Sequence, residues 1–175
     1  DLLKRSPNNY DEFSGRVSAI LERVKSEGDA ALFDYTKQFD KVDITAGTIR
    51  VTDEEVARAY EQVDPQLLEI IRKAKANIET YHAKQRQYSW FDSRPDGSIL
   101  GQKVTPLERV GVYVPGGKAV YPSSVLMNVM PAKVAGVDEI IMTTPPGKDG
   151  SVYPVTLVAA KEAGVDTVYK VGGAQ

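Results

Sequence analysis

The sequence contains no cysteine and only one histidine, His82. The absence of cysteine excludes disulfides and thiolate metal ligands, and it favours a cytoplasmic protein. Zinc sites in proteins take imidazole, thiolate or carboxylate ligands in a tetrahedral set, usually with His or Cys among them, and one histidine cannot build such a set. We therefore expect neither a metal site nor a catalytic histidine here, and we interpret His82 as a helix-face residue that is hydrogen-bonded to a neighbour.

Long apolar runs and a basic surface are also missing. The longest stretch without a charged residue, 119–132, is shorter than the roughly 20 residues that span a bilayer, and it contains two prolines. The net charge of -2 provides no positive field for a phosphate backbone. Residues 1–6 lack the apolar centre of a signal peptide, and without an initiator methionine we expect residues upstream. The sequence therefore predicts no membrane and no nucleic acid as partners.

Composition divides the chain near Glu108. Residues 1–107 carry 34 of the 46 charged residues, whereas residues 108–175 hold 9 of the 14 glycines and 6 of the 10 prolines. We therefore predict two parts, 1–107 and 108–175. The first has the apolar spacing of amphipathic helices, beginning with a stripe of Phe13, Val17 and Leu21 that needs a partner surface.

Two further helices are predicted in the first part from their start signals. A capping box, Thr52 to Glu55, opens one of them, so the acidic residues there are first-turn charges favoured by the helix dipole. The other begins with Asp64 and Pro65 and keeps its apolar period to about Trp90. A turn at residues 96–97 then predicts a small hairpin.

A repeat in the second part predicts its fold. The letters AGVD occur at residues 135–138 and again at 163–166, and a β-rich run follows each copy. Glycine there can adopt the left-handed conformation that ends a helix. With an opening strand at 109–114, this pattern predicts an α/β fold in which an incomplete Rossmann-like parallel β-α-β-α-β unit follows the helical part. The first of its helices is apolar almost all round, which suits burial between two layers, and Pro131 should bend or break it.

Three loops should lie at the carboxyl edge of that sheet, where ligands bind in such folds. They are residues 113–117, 143–147 and 171–175, and two of them contain paired glycines that could let a phosphate or ribose approach the backbone. The dinucleotide fingerprint G-x-G-x-x-G is absent. Nucleotide binding and simple tight turns therefore both remain open at this point.

Three linked motifs resemble the histidinol dehydrogenase family. They read RVGVYVPGG at 109–117, YPSSVLM at 121–127 and VGGAQ at 171–175, and the likeness extends back through NIETYH at 77–82. The resemblance implies a homodimeric enzyme that oxidises L-histidinol to L-histidine through an aldehyde, the last step of histidine biosynthesis, with NAD and zinc. It also implies that Tyr113 and Gln175 contact NAD. Without it, Tyr113 would be interpreted as a core aromatic and Gln175 as a solvent-facing loop residue.

The resemblance assigns none of the family's zinc ligands, nor its glutamate-histidine pair for acid-base chemistry, to this chain. We therefore expect a fragment that is inactive alone. Two alternatives stay open from sequence: a non-catalytic α/β module that binds a nucleotide or a protein partner, and a general aldehyde-dehydrogenase-like protein with a nucleophilic cysteine downstream.

Overall fold

A computed structural model describes residues 11–116 and 119–175 and has an α/β architecture. In chain order its elements are α1 (Asp11–Glu27), α2 (Asp29–Phe39), α3 (Asp53–Gln62), α4 (Pro65–Ala83), β1 (Trp90–Ser93), β2 (Ile99–Gln102), β3 (Arg109–Tyr113), α5 (Pro122–Ala135), β4 (Glu139–Thr144), α6 (Pro154–Ala163) and β5 (Thr167–Lys170). Strands β3, β4 and β5 form a parallel sheet in that order, whereas β1 and β2 form an antiparallel hairpin. The predicted β-α-β-α-β unit and hairpin are confirmed. The amino-terminal residues 1–6, which lack the apolar centre of a signal peptide, lie outside the described residues.

The starts of α3 and α4 follow from their capping residues. Thr52 and Glu55 form the predicted reciprocal capping box, and the Asp64 carboxylate accepts a hydrogen bond from the Gln66 amide at 2.7 Å. These contacts satisfy amide groups that have no partner within the helix.

Helix α4 ends at Ala83, so the prediction that it continues to about Trp90 is wrong. The Ser89 hydroxyl accepts a hydrogen bond from the Val104 amide at 2.8 Å and donates one to the Val104 carbonyl at 3.2 Å. These bonds begin the hairpin just before β1. Residues 84–90 fit the helical spacing, but hydrogen bonding to the region around β2 places the last of them at the start of the hairpin instead.

The two repeat glycines end their helices as predicted. Gly136 and Gly164 have φ angles of 89° and 85°, and the next amide in each copy bonds back to the last helical turn, Val137 to Ala132 and Val165 to Ala160. Proline at position 131 does not break α5, which runs unbroken to Ala135 between well-buried neighbours such as Val129 and Met130.

The core lies between one face of the parallel sheet and the helices. Buried residues from β4, α5, α6 and α4 share a single apolar cluster, and partly buried residues of β3 and β5 pack against it. Helix α5 thus lies between the sheet and α4, as its all-round apolar character predicted, and α3 packs on α6. By contrast, Phe13, Val17 and Leu21 of α1 are 40–54% exposed. Among the described helices, none has both the length and the apolar character needed to cross a bilayer.

Segment 49–51 covers the β5 edge of the sheet. The Val51 amide donates to the Val168 carbonyl at 2.9 Å, and the Lys170 amide donates to the Ile49 carbonyl at 2.8 Å. The chain immediately before α3 is thereby attached to the end of β5.

Candidate functional site

The three predicted loops meet at one edge of the parallel sheet. Tyr113 is in register with Thr143, and Thr143 with Tyr169, so all three strands end on the same side. Pro145 lies between the outer loops. A Cβ atom on Gly116 would come within 2.9 Å of the Pro145 ring, and one on Gly172 within 2.5 Å of it. Gly117, the second glycine of the first loop, lies outside the described residues.

Close packing against Pro145 explains why two of these positions are glycine. The space that a side chain would fill at Gly116 and Gly172 is taken by Pro145, so the outer loops contact the middle loop closely. Glycine at position 173 is explained by backbone conformation, because its φ of 68° lies in the left-handed region. Gly116, Gly172 and Gly173 are therefore explained by packing or by backbone conformation, without a ligand.

Tyr113 ends β3 with its side chain on the open face of the sheet. Val112, the preceding residue, packs against the core cluster, and successive strand residues point to opposite faces. Tyr113 accordingly is 47% exposed. The interpretation of this tyrosine as a core aromatic is therefore wrong for the described part of the chain.

Gln175 presents an unpaired amide at the same edge. Both its Oε1 and Nε2 atoms are buried without a hydrogen-bond partner, and Oε1 lies 2.5 Å from the position of a Cβ on Gly173. An unpaired buried amide costs free energy, and a ligand with both a donor and an acceptor could pair with it only once the side chain turned outward, because both atoms are buried. Gln175 is therefore not the solvent-facing loop residue of the alternative interpretation.

A buried ion pair lies beneath the third loop, where sequence reasoning did not anticipate it. The Lys170 ammonium at the end of β5 is 2.5 Å from a carboxylate oxygen of Glu55 in α3. Hydrogen bonds from Ser151 hold the pKa of Asp149, on the loop after β4, below its usual value, and the positive charge of Lys170 adds to that effect. The sequence did contain one indication of a buried charge, because Lys170 lies two positions after Val168 and therefore on the same, core-facing side of the strand.

The other titratable residues considered from sequence do not come together as a catalytic set. The His82 Nδ1 atom is 2.6 Å from the Gln85 side-chain oxygen, and the acidic residues at 53–55 occupy the first turn of α3. Within residues 11–116 and 119–175, no three acidic, histidine or cysteine side chains are grouped to hold a metal ion.

Comparison with known proteins identifies the family. A family model described as histidinol dehydrogenase matches residues 3–175. The chain belongs to the histidinol dehydrogenase family. Curated family members named histidinol dehydrogenase from Heliobacterium mobile and Bacillus subtilis (strain 168) are 54% and 53% identical over 93% and 99% of this chain.

The fold agrees with that of a solved family member. The crystal structure of histidinol dehydrogenase from Elizabethkingia anophelis matches 99% of this chain with a TM-score of 0.90 and 36% sequence identity. The chain covers 40% of that structure, and 38% and 40% of the two curated relatives. The family resemblance of the three motifs is therefore confirmed, over about two fifths of the length of these family members.

Proposed function

We propose that this chain is part of an enzyme that oxidises L-histidinol to L-histidine, the last step of histidine biosynthesis, with NAD as the oxidant. The observation that carries the proposal is that an exposed Tyr113 ring and a Gln175 amide without a hydrogen-bond partner both follow strands that end at the same edge of the sheet. Membership of the histidinol dehydrogenase family supports the choice of substrate.

Each of the two residues has a distinct role in the proposal. The Tyr113 ring offers a flat surface with a hydroxyl at its tip, and the Gln175 amide, once turned outward, would offer one acceptor and two donors to NAD. NAD, when bound, accepts hydride from the substrate. Residues 108–175 would then be the first part of an NAD-binding domain, and residues 1–107 part of another.

Zinc, substrate acid-base chemistry and the homodimer belong to the proposal for the full-length protein. The described residues contain no group of side chains that could hold zinc, and the proposal places its ligands elsewhere in the full-length protein. The proposal also places the glutamate-histidine pair for acid-base chemistry elsewhere in the full-length protein. The protein would act in the cytoplasm, without nucleic acid or membrane as partners.

The test is turnover of L-histidinol with NAD by the purified full-length protein. Tyr113→Ala and Gln175→Ala should raise the KM for NAD more than they lower kcat, because each removes a contact to the dinucleotide. Removal of zinc by a chelator should abolish turnover while NAD binding persists. The isolated 175-residue chain should show no turnover. Full-length protein that binds NAD but leaves histidinol unchanged would favour the binding-module alternative.

A further inference from the structure

Lys170 is a charged residue at a position where the sheet faces its core. Its side chain is 7% exposed, its register partner Thr144 is buried, and Val168 on the same side of β5 packs against the core cluster. Burial of an ammonium group is unfavourable unless the charge is paired and hydrogen-bonded. The lysine therefore depends on a partner brought to it by another element.

That partner, Glu55, has a second task in the same place. One carboxylate oxygen contacts the Lys170 ammonium at 2.5 Å, and the other accepts a hydrogen bond from the Thr52 amide at 2.9 Å to close the capping box of α3. Asp149 is also close enough for its charge to interact with that of Lys170. One lysine thus connects the end of β5 to the start of α3, and its charge also acts on the loop after β4.

The position of the pair along the chain suggests what it does. Lys170 is the last residue of β5, and its backbone amide is fixed to the Ile49 carbonyl. The next residue, Val171, is buried, and Gly172 lies against Pro145. The loop that ends in Gln175 therefore leaves the sheet from a point held by an ion pair on one side and by proline packing on the other.

A buried ion pair is weak evidence for stabilisation, because replacement of such a pair by apolar residues of similar volume is often neutral or stabilising. In some proteins a buried charged or polar group instead specifies how two elements are arranged. We propose that Lys170 and Glu55 are positioning residues that hold residues 171–175 in the conformation in which Gln175 meets NAD. This inference rests on the NAD site proposed above.

The experiment compares NAD binding by the full-length protein and by Lys170→Met, with the double variant Glu55→Gln/Lys170→Met as a form that leaves no buried charge unpaired. Calorimetry should show the Kd for NAD rising about tenfold in both, since the loss of one or two hydrogen bonds to a ligand weakens binding by about that factor. The KM for NAD should rise with little change in kcat, and the amides of residues 171–175 should exchange hydrogen faster.

The control pair is Arg72 and Glu162, which links α4 to α6 at 3.1 Å near the amino-terminal edge of the sheet. Arg72→Met should lower thermal stability and leave the Kd for NAD unchanged. If the unchanged protein does not bind NAD, the proposed function fails, and this inference with it. If the unchanged protein binds NAD and both Lys170 variants bind it equally well with unchanged exchange at 171–175, the positioning role alone is overturned.

Discussion

At the scale of single residues, Asp40 shows how an unpaired buried oxygen affects stability. It caps the carboxyl end of α2, where a negative charge is disfavoured by the helix dipole, and its Oδ2 atom is buried without a hydrogen-bond partner. Burial raises the pKa of Asp40. A raised pKa in the folded state means that the protonated form is favoured, so stability is lost as the pH rises through that pKa.

We predict that Asp40→Asn raises the stability of the full-length protein at pH 7. The gain should be modest, about 0.5–1 kcal/mol, because the residue is only partly buried. Urea unfolding at pH 7 and near pH 3 checks it, and the gain should vanish at the lower pH, where the aspartate is protonated in both states. Asp92→Asn, on the exposed hairpin, is the control. An equal gain at both pH values would contradict the account.

Gly172 allows a second prediction at this scale. A methyl group there would lie 2.5 Å from the Cβ of Pro145, and neither atom can move away without the backbone. We expect Gly172→Ala to cost about 1–3 kcal/mol of stability, as overpacking does, and to weaken NAD binding by separating the loops. Gly111→Ala is the matched control, since a Cβ at Gly111 meets nothing within 4 Å. Similar unfolding midpoints and NAD affinities for the two variants would be evidence against close packing at the edge.

Single residues were only partly foreseeable from sequence. The left-handed conformations of Gly136 and Gly164 could be predicted, because each glycine follows an apolar helical stretch and precedes a β-rich run. The contact of Gly172 with Pro145 could not, because it joins residues 27 positions apart through loops whose path depends on the whole sheet. The Lys170 partner was hidden for the same reason, since Glu55 is 115 positions away.

At the scale of elements, α3 depends on its first turn. The Thr52 hydroxyl accepts a hydrogen bond from the Glu55 amide at 3.2 Å. We predict that Thr52→Ala lowers the free energy of unfolding by about 1 kcal/mol, while Thr52→Ser retains most of it because serine also caps well. Chemical unfolding of the two variants measures this. Equal stabilities would show that the cap adds nothing.

Element boundaries show where local patterns stop being sufficient. The start of α4 was predictable from Asp64 and Pro65, which act on amides one or two residues away. Its end was not, because Tyr88 fits the helical spacing and yet is 72% exposed in the segment leading into β1. Pairing with β2 and its flanking residues decides that boundary, and a helical period carries no information about it.

At the scale of the whole molecule, composition suggested two parts, and the structure shows how closely they pack. Ile71 of α4 shares an apolar cluster with Val114 and Ile140 of the sheet region, and α4 contacts both α5 and α6. The division of the chain into two domains near Glu108 stays a prediction. Which helical faces meet could not be read from the sequence, because several apolar stripes compete for the same surfaces.

Within the described residues, the open face of the sheet, the α1 stripe and the β1–β2 hairpin carry large exposed apolar or aromatic side chains. Tyr113 lies on the first, and Phe13 and Leu21 on the second. The chain covers about two fifths of the length of the family members it matches. The proposed NAD site is therefore best tested in the full-length protein.

The most direct measurement is a crystal structure of the full-length protein with NAD bound. Our account predicts that the dinucleotide lies along the carboxyl edge of β3, β4 and β5, in contact with the Tyr113 ring and with the Gln175 amide hydrogen-bonded to it. NAD bound at another edge of the sheet, with Gln175 still unpaired, would contradict the account.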